Sequence, residues 1–223
     1  MLINLGNIVF GGKGNGGGTP AAYVVPDGMN FGYSTLIPFD DFDFSQRTNF
    51  NNCWNGCQTL KEFPLLNISK GTRFYMTWYN CRALTSFPQL DLSSGTDFQS
   101  TWMSCSNLTE FPMLDLSNGT FFGFAWYGCS KLTSFPQLDL SSGTDFSNTW
   151  GGCPALTTLG GFGAISADFD LSASTKLTAE SIMNVINQAA TVTGKTMKFG
   201  STNLAKLTDE QKAVATSKGW TLA

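Results

Sequence analysis

The stretch TDFQSTWMSCSNLTEFPMLDLSNGTFF, Thr96 to Phe122, decides the fold, because close copies of it lie on both sides. Alone, Cys105 beside Trp102 looks like a thiol set in an aromatic pocket. The neighbouring copies change that reading. Phenylalanine recurs at Phe50, Phe74, Phe98, Phe122 and Phe146, and tryptophan at Trp54, Trp78, Trp102, Trp126 and Trp150. Cysteine follows at Cys57, Cys81, Cys105, Cys129 and Cys153, and leucine at Leu60, Leu84, Leu108, Leu132 and Leu156. Every step is 24 residues, without slip. A fixed period of this size marks a solenoid, in which each unit buries its apolar face only by stacking on the next.

Within the unit, LDLS (90–93, 114–117 and 138–141) alternates as a short half-buried strand does, leucines inward and Asp91, Asp115 and Asp139 outward. The SGT or NGT that follows offers a glycine able to take positive φ and turn the chain. The spacings of 4, 3 and 3 from Phe through Trp and Cys to Leu predict one apolar face of a short helix. Proline after the second Phe ends that segment. The expected fold class is therefore an α/β repeat: a solenoid of 24-residue coils over 50–165, each a short strand plus a short helical turn. Larger β-α units cap it over 166–223.

In such a stack the cysteines form a file with neighbours roughly 5 Å apart and pack like small apolar side chains. Disulfides between successive members would leave one of five unpaired. Zinc wants CxxC pairs or histidine, and Cys53 with Cys57 makes a weak pair. A nucleophilic cysteine needs a basic partner, and the chain has no histidine. The reading is structural cysteine. The aspartate file offers one carboxylate per coil, a poor calcium cage; these side chains are expected to bond the adjoining turn, with Asn67 in that role in the first coil.

Composition points the same way. Charged residues are 13% of the chain, about half the usual share, and the net charge of −3 gives no footprint for nucleic acid or an anionic membrane. Without histidine the commonest general base, metal ligand and pH switch are missing together. No apolar run is long enough to cross a bilayer. No enzyme activity, catalytic residue, cofactor or metal is expected.

Both ends differ from the middle. Counting back 24 residues places Tyr33 in the cysteine column, Leu36 in the leucine column, and Phe39, Phe42 and Phe44 in later apolar columns, so 20–49 reads as a degenerate first coil. At the other end Thr178 caps a predicted helix bearing Ile182, Val185, Ile186 and Ala189 on one face. KTMKF is a strand. Thr208 caps a second helix with Asp209 and Glu210 in its first turn, Lys218 in its last and Gly219 as its stop, and WTL closes with a strand. Residues 11–19 hold the glycine-rich tract GGKGNGGG, a linker. Before it, residues 1–10 place Leu2, Ile3, Leu5, Ile8, Val9 and Phe10 in a short apolar stretch, expected to dock by adding a strand to a partner. Asn4, Gly6 and Asn7 interrupt it and no basic region precedes it, so it does not read as a signal peptide; the expectation is a chain made and kept in a cytoplasm.

The pattern TWxxCxxLTxFPxLDLS resembles the BspA-like class of leucine-rich repeats of bacterial surface proteins, which typically read MFxxCxxLxxLxLS. Tryptophan here takes the aromatic place before Cys. The resemblance covers about Phe50 to Leu177 and implies a leucine-rich-repeat solenoid that presents a binding surface, with no catalytic residues. The segment from Leu177 onward is similar to the C-terminal part of many such proteins from gut Bacteroidales and their phages. Two expectations follow. One is a virion structural protein of a tailed phage, a head or tail fibre or decoration assembled in the host cytoplasm. It would bind virion proteins through residues 1–18 and present the coils to a host-surface protein or glycan. The other is a secreted BspA-like adhesin on a bacterial surface. In either, recognition falls on exposed positions that vary between coils, namely Arg73, Tyr75, Tyr79, Gln99, Met103, Phe121 and Tyr127, and an exposed side can pair with a second copy of the chain. Tyr79 and Tyr127 could stack on sugars, or cover neighbouring coils.

Overall fold

The computed structural model describes residues 22–223. The expected docking residues Leu2, Ile3, Leu5, Ile8, Val9 and Phe10 and the linker at 11–19 lie outside them. From Asn49 to Asp145, residue i lies beside residue i+24: parallel bridges join Asn49 to Arg73, Arg73 to Asp97, Asp97 to Phe121 and Phe121 to Asp145. A second file runs along another edge, from Glu110 to Ser134 and on through β3 (Ser134–Phe135), which pairs in parallel with β4 (Thr158–Leu159).

Between the files the core is columnar. Neighbouring indoles in the file Trp54, Trp78, Trp102, Trp126 and Trp150 stack with ring centroids 5.2–6.0 Å apart. Phe50, Phe74, Phe98, Phe122 and Phe146 form a second stack at 5.3–5.5 Å. Phe63, Phe87, Phe111 and Phe135 meet the tryptophans edge-on, as at 4.8 Å between Trp78 and Phe87. Each fully buried aromatic adds about 1.5–3 kcal/mol of burial and each pair about 0.5–1.5 kcal/mol more.

The Phe-to-Cys segment is not the predicted helix. Its backbone N–H groups alternate between two jobs. Those of Phe74, Met76, Trp78 and Asn80 donate to Asp97, Gln99, Thr101 and Met103 in the next coil at 2.7–3.1 Å, while those of Thr77, Tyr79 and Cys81 donate back three residues at 3.1–3.3 Å. Turns of this kind need left-handed residues, and two occur per coil: Asn52, Met76, Ser100, Phe124 and Asn148 in one file, and Gly56, Asn80, Ser104, Gly128 and Gly152 in the other. The four-residue periodicity comes from left-handed residues four apart in a chain of overlapping turns. LDLS is likewise no strand, although Leu90, Leu92, Leu114, Leu116, Leu138 and Leu140 are buried and the aspartates face out. The repeated glycine is not a positive-φ turn residue either. A Cβ at Gly95 would lie 2.3 Å from the Phe98 ring, and Gly71, Gly119 and Gly143 face the same crowding, so the column is glycine for space.

The first coil slips by one residue against the expected register. Phe31 N–H donates to Cys53 and Tyr33 N–H to Asn55, which makes Phe31 the equivalent of Trp54 and puts Ser34, not Tyr33, in the cysteine column. Tyr33 and Leu36 are accordingly 61% and 79% exposed. Phe42 and Phe44 are buried as expected; Phe42 lies in β2 (Phe42–Asp43), which pairs with β1 (Tyr23–Val24). A buried arginine that the sequence reading passed over holds this coil together. Arg47 donates to the carbonyls of Met29 and Asn49 and to Asn30 Oδ1, with its guanidinium 5.1 Å from the Phe50 ring centroid.

Beyond the coils, β5 (Phe169–Asp170), β6 (Lys195–Lys198) and β7 (Trp220–Leu222) form a parallel sheet in that order. Helix α1 (Ala179–Gln188) joins β5 to β6 and buries Ile182, Val185 and Ile186. The short α2 (Ser201–Leu204) and α3 (Asp209–Ser217) join β6 to β7. Thr178 and Thr208 cap α1 and α3 through their hydroxyls, Thr208 in a reciprocal box with Gln211. Lys218 does more than end its own helix: its ammonium donates to the carbonyls of Ile186, Asn187 and Ala189 at the C-terminus of α1.

Candidate functional site

The cysteine file has its polar atoms engaged. Each thiol donates across coils to a main-chain carbonyl: Cys81 to Trp54 at 3.2 Å, Cys105 to Trp78 at 3.2 Å, Cys129 to Trp102 at 3.3 Å and Cys153 to Trp126 at 3.2 Å. Burial pushes the Cys153 thiol up to about 12 and those of Cys81, Cys105 and Cys129 well above the ordinary range. A neutral thiol is neither nucleophile nor metal ligand. These are packing residues with one directed hydrogen bond.

The aspartate file is anchored locally. Asp91, Asp115 and Asp139 accept from the N–H two residues on, at 3.0–3.1 Å, and Asn67 makes the corresponding, longer bond to Ser69 at 3.4 Å. At Asp115 the bonds from the Ser117 hydroxyl and N–H hold the carboxyl below its usual range. Among the described residues no three Cys, Asp or Glu side chains converge on a metal-sized space, and no helix is long and apolar enough to cross a membrane.

The seven sequence-predicted surface residues fall on three adjacent files of the turn ladder. Arg73 and Phe121 share the file that also holds Asp97 and Asp145. The carbonyls of Tyr75 and Gln99 accept from Asn52 and Met76, and those of Tyr79, Met103 and Tyr127 accept from Gly56, Asn80 and Ser104. The backbone ladder thus fixes the order and spacing of all seven. They are not equally free. Arg73, Phe121 and Tyr127 are exposed, whereas Tyr75, Tyr79, Gln99 and Met103 are half-buried. Tyr127 also covers the next coil, since a Cβ at Gly151 would meet its ring at 2.7 Å.

A feature that the repeat pattern did not reveal lies at the end of this face. A hollow of about 350 Å³ opens where the last coil meets the C-terminal sheet, lined by Asp145, Ser147 and Asn148 on one side and Asp168, Asp170, Lys195, Thr196 and Lys198 on the other. Its acids each accept from a backbone N–H at Oδ1, and two of them meet a lysine at Oδ2. Asp145 Oδ1 accepts from Ser147 N–H and hydroxyl at 2.9 and 2.6 Å. Asp168 Oδ1 accepts from Thr196 N–H at 2.6 Å, with Lys195 3.5 Å from its other oxygen. Asp170 Oδ1 accepts from Ser172 N–H and hydroxyl, and Lys198 lies 2.9 Å from its Oδ2. Burial pushes the Asp170 carboxyl up, but the bonds from Ser172 and Lys198 outweigh it and hold it low. The available signal was a break in period: the FP pair fails after Leu156, and Phe146 bridges Phe169 at a step one residue short.

Comparison with protein-family models, with curated proteins and with solved structures finds no match.

Proposed function

We propose that this chain is a non-enzymatic recognition protein, a structural component of a phage virion that displays leucine-rich-repeat coils of the BspA-like type to a host-surface protein or glycan. The observation that carries the reading is the division of labour within each coil. Inward positions repeat almost letter for letter, while the files through Arg73, Tyr75 and Tyr79 change from coil to coil, reading Asp97, Gln99 and Met103 and then Phe121, Gly123 and Tyr127. Varied side chains on a constant hydrogen-bonded frame form a preorganised surface, which loses little conformational freedom on binding. The thiols, the most numerous nucleophiles of the core, are tied to carbonyls.

The virion assignment draws on residues 1–19, whose apolar stretch and glycine tract have the composition of a docking peptide and tether, and on the resemblance of the C-terminal segment. Mass spectrometry of purified phage particles tests it. Stoichiometric presence supports a fibre or decoration protein, and deletion of residues 1–18 then removes the protein from particles without unfolding the coils. Absence from particles together with presence on bacterial surfaces replaces the virion by the adhesin. Serine at Arg73, Tyr75, Gln99 and Met103 together is expected to abolish attachment of the labelled protein to host cells; undiminished attachment would remove the ladder face from the account.

A further inference from the structure

The turn ladder supplies donors to the next coil at every second residue: Phe122 N–H reaches Asp145, Phe124 reaches Ser147, Trp126 reaches Thr149 and Gly128 reaches Gly151, at 2.8–3.0 Å. The last coil has no such successor. Phe146 bridges Phe169 of β5, and the Leu171 N–H, just past that strand, donates to Lys198. Asn148, the counterpart of Phe124, keeps the left-handed conformation of its file, yet its N–H finds no protein acceptor among the described residues. Asn148 lines the hollow described above.

The lining is unusual in mixing signs. Three carboxylates, each accepting from a backbone N–H at Oδ1 and two of them paired with a lysine at Oδ2, alternate with those two ammoniums and the polar groups of Ser147, Asn148 and Thr196. An anion meets three acids there, and a cation meets two amines. A neutral polyol meets neither penalty, because each hydroxyl both donates and accepts and so bridges a carboxylate and an adjacent donor. Phe121 does not line the hollow itself, but it is bridged to Asp145 one coil back and leaves half its surface exposed, an apolar face for the C–H side of a sugar ring. The volume is near the lower end of the roughly 300–1,000 Å³ range of small-molecule sites. We infer that the seam between the last coil and the C-terminal sheet binds a single neutral sugar residue. Asp145, Asp168, Asp170 and the Asn148 backbone N–H contact its hydroxyls, and Phe121 contacts its apolar face. This rests on the recognition reading above and names the ligand class for one part of that surface.

Saturation-transfer NMR on the full chain tests it with methyl glycosides of glucose, galactose, mannose and N-acetylglucosamine, beside a methyl sialoside as anion and glucosamine as cation. At least one neutral glycoside is expected to bind in preference to both charged probes. Asp168→Asn and Phe121→Ala, both surface changes checked by thermal melting, are each expected to weaken it about tenfold. Asp91→Asn, an equally exposed acid in another file, is expected to leave it unchanged. No neutral binding, preference for the sialoside or glucosamine, or indifference to Asp168→Asn and Phe121→Ala would overturn the inference. Attachment of the same labelled proteins to whole bacterial cells separates the two readings. Attachment without sugar binding overturns the seam site alone, whereas loss of both removes the recognition reading as well.

Discussion

The central coils, from Phe50 to Cys153, and the C-terminal unit, from Ala167 to Ala223, both stack in parallel, by different means. Each central coil closes through turns with two left-handed residues and buries whole columns of aromatic rings. The C-terminal unit uses three paired strands and capped helices. Unit length does not explain the contrast, because β6 and β7 register Lys195 with Trp220, a step of 25 residues against 24 in the coils. Uninterrupted helical sequence does. Ala179–Gln188 and Asp209–Ser217 contain neither Gly nor Pro and each follows a threonine cap. In the coils a left-handed residue precedes the cysteine, and proline arrives seven residues after it in all but the last, where Gly160 stands, so no run is long enough.

The largest test of this contrast is loss of a tryptophan from each region. Trp102 is sandwiched between Trp78 and Trp126, with Phe87 and Phe111 against its edges. Trp102→Ala is expected to cost about 3–5 kcal/mol by urea denaturation. Because the coils depend on nearest neighbours, hydrogen exchange should rise through the flanking coils on both sides. Trp220→Ala should instead expose β6 and β7 first and leave the coils protected. The same exchange pattern for both variants would mean that the two regions unfold as one. Trp102→Phe should cost far less than Trp102→Ala, since the indole N–H has no hydrogen-bond partner to lose.

Glycine separates the regions next. Gly95 lacks room for a Cβ, whereas Gly194 has open space but a φ of +67°. Gly95→Ala is expected to cost about 1–3 kcal/mol through overpacking against Phe98, and Gly194→Ala about 1 kcal/mol through backbone strain. Asparagine tells the causes apart. Tolerating the left-handed region, it should be nearly neutral at position 194 and as harmful as alanine, or worse, at 95. Thermal melting of the four variants decides, and a tolerated Gly95→Asn would return the column to a turn role.

How much of this was legible in the sequence follows from what a repeat reveals. The 24-residue period fixes which side chains share a column, so the burial of Trp102, Cys105 and Leu116 could be read directly. It does not fix backbone conformation. A spacing of 4 and 3 is common to a helix and to a chain of left-handed turns, and only the ladder from Met76 and Asn80 to the next coil distinguishes them. The caps at Thr178 and Thr208 were readable because a helix start has local chemistry. Arg47 and the junction hollow were not, because each joins residues that belong to no shared period. Of the candidate surface, the files were legible, and so was a tyrosine such as Tyr127 covering the neighbouring coil; which of Tyr75, Gln99 and Met103 are half-buried was not.

The smallest effect comes from a flaw within the central coils. Thr77, Thr101 and Thr149 are buried, and each hydroxyl donates to a phenylalanine carbonyl of the preceding coil, Phe50, Phe74 and Phe122, at 2.8–2.9 Å. Ala125 occupies this file between Thr101 and Thr149, so the Phe98 carbonyl keeps only the bond from Thr101 N–H. At the junction a hydroxyl reaches a different column, from Ser174 to the Cys153 carbonyl. Ala125→Thr is expected to stabilise by about 1 kcal/mol, raising the melting temperature by roughly 2–4 °C for a chain of this size. Two further substitutions assign the gain. Ala125→Ser adds the hydroxyl alone and should keep most of it, while Ala125→Val adds the methyl groups and buries no new donor. If valine matches threonine and serine does nothing, the file is held by packing, and its hydroxyls contribute little to joining the coils.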